Sequence, residues 1–211
     1  MLGVMPLSKQ LVMTLMKIKF ISSVLLLVFF TSIFVRAQDP PPPATDFVFN
    51  QWKEFVSTEG GFKVLMPGVP AEVSQPIDSR PGAAVAHFHA LTTKTAEYTV
   101  GYTTFGRDLE SMQASKVTLD GIRDRIIIKE SGKLLSETDL TMEGHPGRAL
   151  IIEVSDGIFW DQYFLVGSSL YTVTVFTPTV KVASSADGEG IRKAQENIAK
   201  RFLDSFKLAT K

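Results

Sequence analysis

The stretch Gly132–Pro178, GKLLSETDLTMEGHPGRALIIEVSDGIFWDQYFLVGSSLYTVTVFTP, constrains the fold more than any other part of the chain. It reads as four β-strands in succession joined by three short turns. In its third run, bounded by Gly157 and Gly167, Trp160, Gln162, Phe164 and Val166 alternate with Phe159, Asp161, Tyr163 and Leu165. Alternation of period 2, rich in aromatic and β-branched residues, is the strand pattern, because successive side chains point to opposite faces of a sheet. In the second run Leu150, Ile152 and Val154 take one face, with Arg148 and Glu153 assigned to the other. Tyr171, Val173 and Val175 repeat the pattern in the fourth, opposite Thr172 and Thr174. Asp156-Gly157 suits a turn that needs positive φ, His145-Pro146-Gly147 reads as a Pro-Gly turn, and Gly167-Ser168-Ser169 as a short polar loop. Connections this short join antiparallel neighbours, since a parallel crossover needs a dozen residues or more.

The N-terminal part is of another kind. Phe20–Val35 is a run of 16 residues without a charge, preceded by Lys17 and Lys19 and followed by Val35-Arg36-Ala37, with small residues at the −3 and −1 positions. Residues 1–37 are therefore expected to be a signal peptide cleaved between Ala37 and Gln38, with Met16 as an alternative start. The run is shorter than the ~20 residues of a spanning helix, so a membrane is met only through the leader, and only if it stays uncleaved. Gln38–Asp46 (QDPPPPATD) is a linker whose four prolines favour extended polyproline II. Export predicts a secreted or periplasmic protein.

The chain of 211 residues has no cysteine, which removes disulfides, thiol nucleophiles, thiolate metal sites and a lipid-bearing cysteine. Removal of the leader takes Lys9, Lys17, Lys19 and Arg36 and leaves 18 basic against 22 acidic residues. That mildly negative balance argues against nucleic acid and anionic membranes as partners.

A single domain is expected over residues 47–208. Trp52–Phe55 and Phe62–Met66 form a first hairpin, Pro76–Gly82 a loop, and Ala84–Thr92 with Glu97–Phe105 a second hairpin. Over Asp108–Ser131 the period changes: Val117, Leu119, Ile122 and Ile126 fall on one helical face. Gly121 weakens this helix unless it approaches the sheet closely or the helix starts late. After the four-stranded stretch, Thr179–Glu189 reads as a polar loop, Gly190–Phe206 as a second helix with Ile191, Ala194, Ile198, Phe202 and Phe206 near one stripe, and Lys207–Lys211 as a tail. Strand runs with segregated helices give an α+β fold, a central antiparallel β-sheet of seven or eight strands flanked by two main helices.

Trp52-x-x-Phe55, Gly61-Phe62-Lys63-Val64-Leu65-Met66-Pro67-Gly68-x-Pro70, Gly132-Lys133-Leu134-Leu135-Ser136-Glu137, Gly144-x-Pro146-Gly147-Arg148 and Phe202-Leu203-Asp204-Ser205-Phe206 recur in this order in uncharacterised exported bacterial proteins. In this the chain resembles the PsbP/DcrB-like superfamily, over about residues 50–208. The resemblance implies a central antiparallel sheet flanked by helices. It brings no catalytic motif, and it implies an accessory or protein-binding role with a protein partner in the cell envelope.

Candidate chemistry is sparse. His87 and His89, at i and i+2 on a strand, share a face, the spacing with which a strand supplies two imidazoles to Zn²⁺ or Cu²⁺. His145 could add a third ligand, with Glu143 nearby, and a metal-dependent hydrolase built on His87 and His89 is the alternative reading. There is no G-x-S-x-G elbow and no phosphate loop. Glu153 and Asp161 form a conceivable glycosidase pair on neighbouring strands, but two carboxylates among 22 are easily found, and a solvated outer face is the preferred reading. Among the aromatics, Trp160 and Phe164 share one face and Phe159 and Tyr163 the other. One set must be core; the other is either covered by a helix or partly exposed as a partner-binding patch. The expectation is a non-catalytic protein without a cofactor that recognises a protein or small ligand through its sheet surface or loops, with Trp160, Tyr163 and His145 in the Glu143–Gly147 turn as the first places to look.

Overall fold

Ten strands and two helices follow one another in the computed structural model, which describes residues 52–78, 83–180 and 185–209. The expected leader (1–37) and linker (38–46) lie outside the described residues. In chain order the elements are β1 (Lys53–Ser57), β2 (Phe62–Met66), β3 (Ala71–Asp78), β4 (Ala83–Thr92), β5 (Glu97–Thr104), α1 (Met112–Lys129) and β6 (Lys133–Met142). These are followed by β7 (His145–Val154), β8 (Gly157–Val166), β9 (Ser169–Pro178), α2 (Ser185–Leu203) and β10 (Lys207–Leu208).

The stretch that opened the sequence reading is β6–β9, an antiparallel meander, and β9 then pairs with β5 to join it to β3–β5. The result is a seven-stranded sheet in the order β3-β4-β5-β9-β8-β7-β6, flanked by helices, as expected for the α+β class. The turn chemistry differs from the reading. The β6–β7 turn is Glu143-Gly144, with φ of +53° and +90°, the two left-handed residues that a tight hairpin of right-twisted strands needs. His145, Pro146 and Gly147 are already strand. Gly157 opens β8 without a positive φ; a Cβ there would stand 2.4 Å from the Thr177 carbonyl oxygen. It is glycine because β9 passes close by, not because a turn requires it.

Two strands escaped the sequence. Ala71–Asp78 is an edge strand that runs into the expected Pro76–Gly82 loop, and Lys207–Leu208 of the expected tail pairs with β2. The first hairpin therefore belongs to a separate three-stranded sheet, β1-β2-β10. Helix α2 also starts five residues earlier than Gly190 and ends three before Phe206.

Both faces of the large sheet are covered. On one, α1 lays Leu119 over Leu150, Ile152, Tyr163 and Leu165. On the other, α2 and the small sheet bring Phe62, Val64, Met66, Phe202 and Phe206 against Val100, Trp160, Phe164, Val173 and Val175. The Tyr171 hydroxyl donates to the Gly60 carbonyl at 2.9 Å, and Ser205 Oγ accepts from the Leu65 N–H at 2.9 Å, so the small sheet is pinned at both ends. Three details of the reading are corrected. Val117 is exposed on α1, not part of its buried face. A Cβ on Gly121 would meet nothing within 4 Å, and the helix begins well before it, so neither explanation offered for that glycine holds. Arg148 shares the face of Leu150, not the opposite one, since both are two-residue neighbours along β7 and both are buried beneath α1.

Candidate functional site

The expected histidine pair lies on β4, and the strand register decides its company. His87 stands opposite Ser74 of β3 and Tyr102 of β5; His89 stands opposite Glu72 and Val100. The His87 Nδ1 is 3.0 Å from Ser74 Oγ, and its ring stacks on Tyr102 with centroids 5.0 Å apart and planes 13° from parallel. The His89 ring packs 4.6 Å from Phe55 and 6.0 Å from Phe62, where the small sheet crosses β4. Burial lowers the His89 pKa, with Glu72 and Glu59 opposing that shift, so its imidazole is neutral at pH 7. The Tyr102 hydroxyl bonds the Glu59 carboxylate from the β1–β2 turn; burial first, and that carboxylate second, raise its pKa. The face is thus a strip of four flat rings with a carboxylate at each flank.

This arrangement does not build the expected metal centre. Among the described residues no group of three or more His, Cys, Asp or Glu side chains is placed to hold a metal ion. His145 is no third ligand. It begins β7, four strands from β4 in a sheet with about 4.8 Å between strands, and its Nδ1 is bonded to Glu110 Oε1 at 2.5 Å. With two imidazoles alone, the hydrolase reading loses the centre it needed.

The aromatic candidates are interior. Trp160 and Tyr163 are 6% and 7% exposed, so neither presents a surface to a partner. Trp160 Nε1 donates to Thr177 Oγ1 at 3.1 Å on the α2 side, and Tyr163 packs under α1. Of the expected binding residues only His145 reaches solvent, tied to Glu110 before α1. The conceivable pair Glu153 and Asp161 is split between opposite faces: Asp161 aligns with Leu150 under α1, while exposed Glu153 belongs to the other side. Asp161 is also not on a solvated face. It is 2% exposed, accepts from Thr174 Oγ1 at 2.7 Å, and burial pushes its pKa up to about 7.

One polar cluster was not legible in the sequence. Arg148, 7% exposed, donates to Asp120 of α1 and, through Nε at 3.0 Å, to Asp139 of β6, and its Nη1 lies 2.8 Å from Glu137. Arg123 of α1 shares Glu137 at 3.1 Å and binds Asp124 at 2.8 Å. The Arg148 hydrogen bond holds the Asp120 carboxyl below its ordinary value. This network clamps α1 to the β6–β7 hairpin, and each of its carboxylates is bonded to an arginine, so it offers structure, not a site. Tyr102, Phe55, Glu59 and Glu72 were also missed as site residues. The alternation around Tyr102 was readable, but the register that stacks it on His87 was not.

No helix among the described residues is long and apolar enough to cross a membrane. No protein-family model matches the chain, and no curated protein matches it. Among solved structures it is similar to cyanobacterial PsbP (CyanoP) from Synechocystis sp. PCC 6803, at 13% identity over 81% of this chain and 99% of that one, with a TM-score of 0.48. A protein of unknown function from Pseudomonas aeruginosa, described as a putative regulator, is 12% identical over 70% of this chain and 93% of its own, with a TM-score of 0.34. A protein from Bacteroides thetaiotaomicron VPI-5482 is 13% identical over 76% of this chain and 50% of its own, with a TM-score of 0.33. At these identities and scores the likenesses show no family for the chain and carry no argument about its role.

Proposed function

We propose that the protein is an exported, non-catalytic accessory protein of PsbP/DcrB-like type that recognises a protein partner of the cell envelope through its sheet surface. The observation that carries this reading is the strip of His87, His89 and Tyr102 with Phe55 of the small sheet beside them, which stays partly exposed at the β3–β5 end of a sheet face whose β9–β8 part is core. Aromatic rings half open to water are the groups with which binding surfaces gain most, because they bury large apolar area while keeping a polar edge. The leader sequence and the order of motifs support export and the superfamily type.

A photo-crosslinking amino acid placed at His87 in the native host tests the reading, with Val117 on the opposite side of the molecule as control. A single discrete adduct from the envelope fraction at His87, absent at Val117, is the expected result. No adduct at His87, or equal adducts at both positions, would refute it.

A further inference from the structure

The strip has a charge pattern that narrows what it can hold. Glu72 flanks it from β3 and Glu59 from the β1–β2 turn, both exposed. These two are the carboxylates that act on His89 and Tyr102. Of the strands that build the strip, β3, β4 and β5 contain no lysine or arginine; β1, which supplies Phe55, carries Lys53, and Lys63 of the adjoining β2 is paired with Glu54 at 3.2 Å. The His87 and Tyr102 rings stack on each other and stay half-exposed beside the carboxylates, and His89 next to them is neutral at pH 7. An anion would meet two like charges here. A metal ion would find too few ligands. A cation gains from both features, since a ring face attracts it and the flanking carboxylates complement its charge.

We propose that this strip docks a basic segment of a protein partner, with a lysine or arginine side chain laid over the His87–Tyr102 stack between Glu59 and Glu72; this rests on the binding role proposed above and names the partner's chemistry. Arginine fits better than lysine, because a planar guanidinium stacks on a ring while its N–H groups reach a carboxylate. The contact is open to water, so its affinity falls with ionic strength.

The test titrates the exported protein with hexa-arginine, hexalysine and hexaglutamate, reading the imidazole NMR signals of His87, His89 and His145. Hexa-arginine is expected to move the His87 and His89 signals saturably and to leave His145 in place, hexalysine to do so more weakly, and hexaglutamate not at all. Glu59→Gln with Glu72→Gln, both at exposed positions that leave the core untouched, should weaken hexa-arginine binding at least fivefold. No shift with hexa-arginine, an equal response to hexaglutamate, or undiminished binding by the double variant overturns the proposal. A crosslinked envelope partner whose capture survives the double variant overturns it while leaving the broader binding role standing. Hexa-arginine binding that needs both carboxylates supports it even where the host yields no adduct.

Discussion

At the scale of single residues, Asp161 departs far from the behaviour of a surface carboxylate. In the unfolded chain an aspartate titrates near ~3.9. In the fold, desolvation under α1 lifts it to about 7, although hydrogen bonds from Thr174 and Tyr163 favour the ionised form. The folded pKa is the higher one, so folding takes up a proton between those two values. Stability is fully present below about pH 4 and is lost as pH rises through about 7, by on the order of 4 kcal/mol. Urea unfolding of the wild type should give a lower midpoint at pH 8 than at pH 5, and Asp161→Asn should flatten that difference. Equal pH slopes in the two proteins would refute this account. The residue was legible only as one acid in an alternating strand. Alternation says that Asp161 and Trp160 face opposite ways; it does not say that a helix dries the Asp161 side.

At the scale of elements, α1 shows what helix periodicity resolves and what it leaves open. The change of period over Asp108–Ser131 marks the helix, and Leu119 is buried as its position implies, yet Val117 and Ile128 stand out in water. Gly121 occupies helix interior with open space beyond it. Gly121→Ala should therefore stabilise the protein by up to about 1 kcal/mol, since alanine loses less backbone entropy and meets no neighbour. A fall in the unfolding midpoint would show a contact that the packing lacks. The same helix is held by Arg148. Arg148→Ala leaves Asp120, Glu137 and Asp139 without their shared cation and should destabilise by about 3 kcal/mol, the low end for a buried pair because Asp139 is open to solvent. Arg148→Met, which keeps the buried stem but not the cation, should lose less; equal losses would place the effect in the lost charge and not in packing. The edge strands were the hardest elements to read. β3 contains Pro76 and β6 a register shift between Leu134 and Ser136 with Glu137 and Asp139 on it. Those features protect an edge from pairing with another chain, and the same features blur its strand pattern.

At the scale of the molecule, several motif residues behind the resemblance hold the fold. Phe202, Leu203 and Phe206 are core, Ser205 ties α2 to β2, and Arg148 clamps α1. The candidate surface instead gathers residues from β1, the β1–β2 turn, β3, β4 and β5. The proposed export is tested at this scale as well: mass spectrometry of the protein recovered from outside the cytoplasm should find Gln38 as the first residue. Retention of residues 1–37 in that fraction would sink the cleaved-leader reading. The sequence by itself determined the α+β class, the antiparallel meander, the two helices and the two faces of β8, because side-chain period and turn chemistry are local properties of the chain. Only the tertiary structure decided that both faces are covered, that Trp160, Tyr163 and Asp161 are interior, that the tail becomes β10, and that His87 stacks on Tyr102 instead of joining a metal site. Those outcomes depend on strand register and on which element lies over which face, and contacts between distant segments leave no period to read.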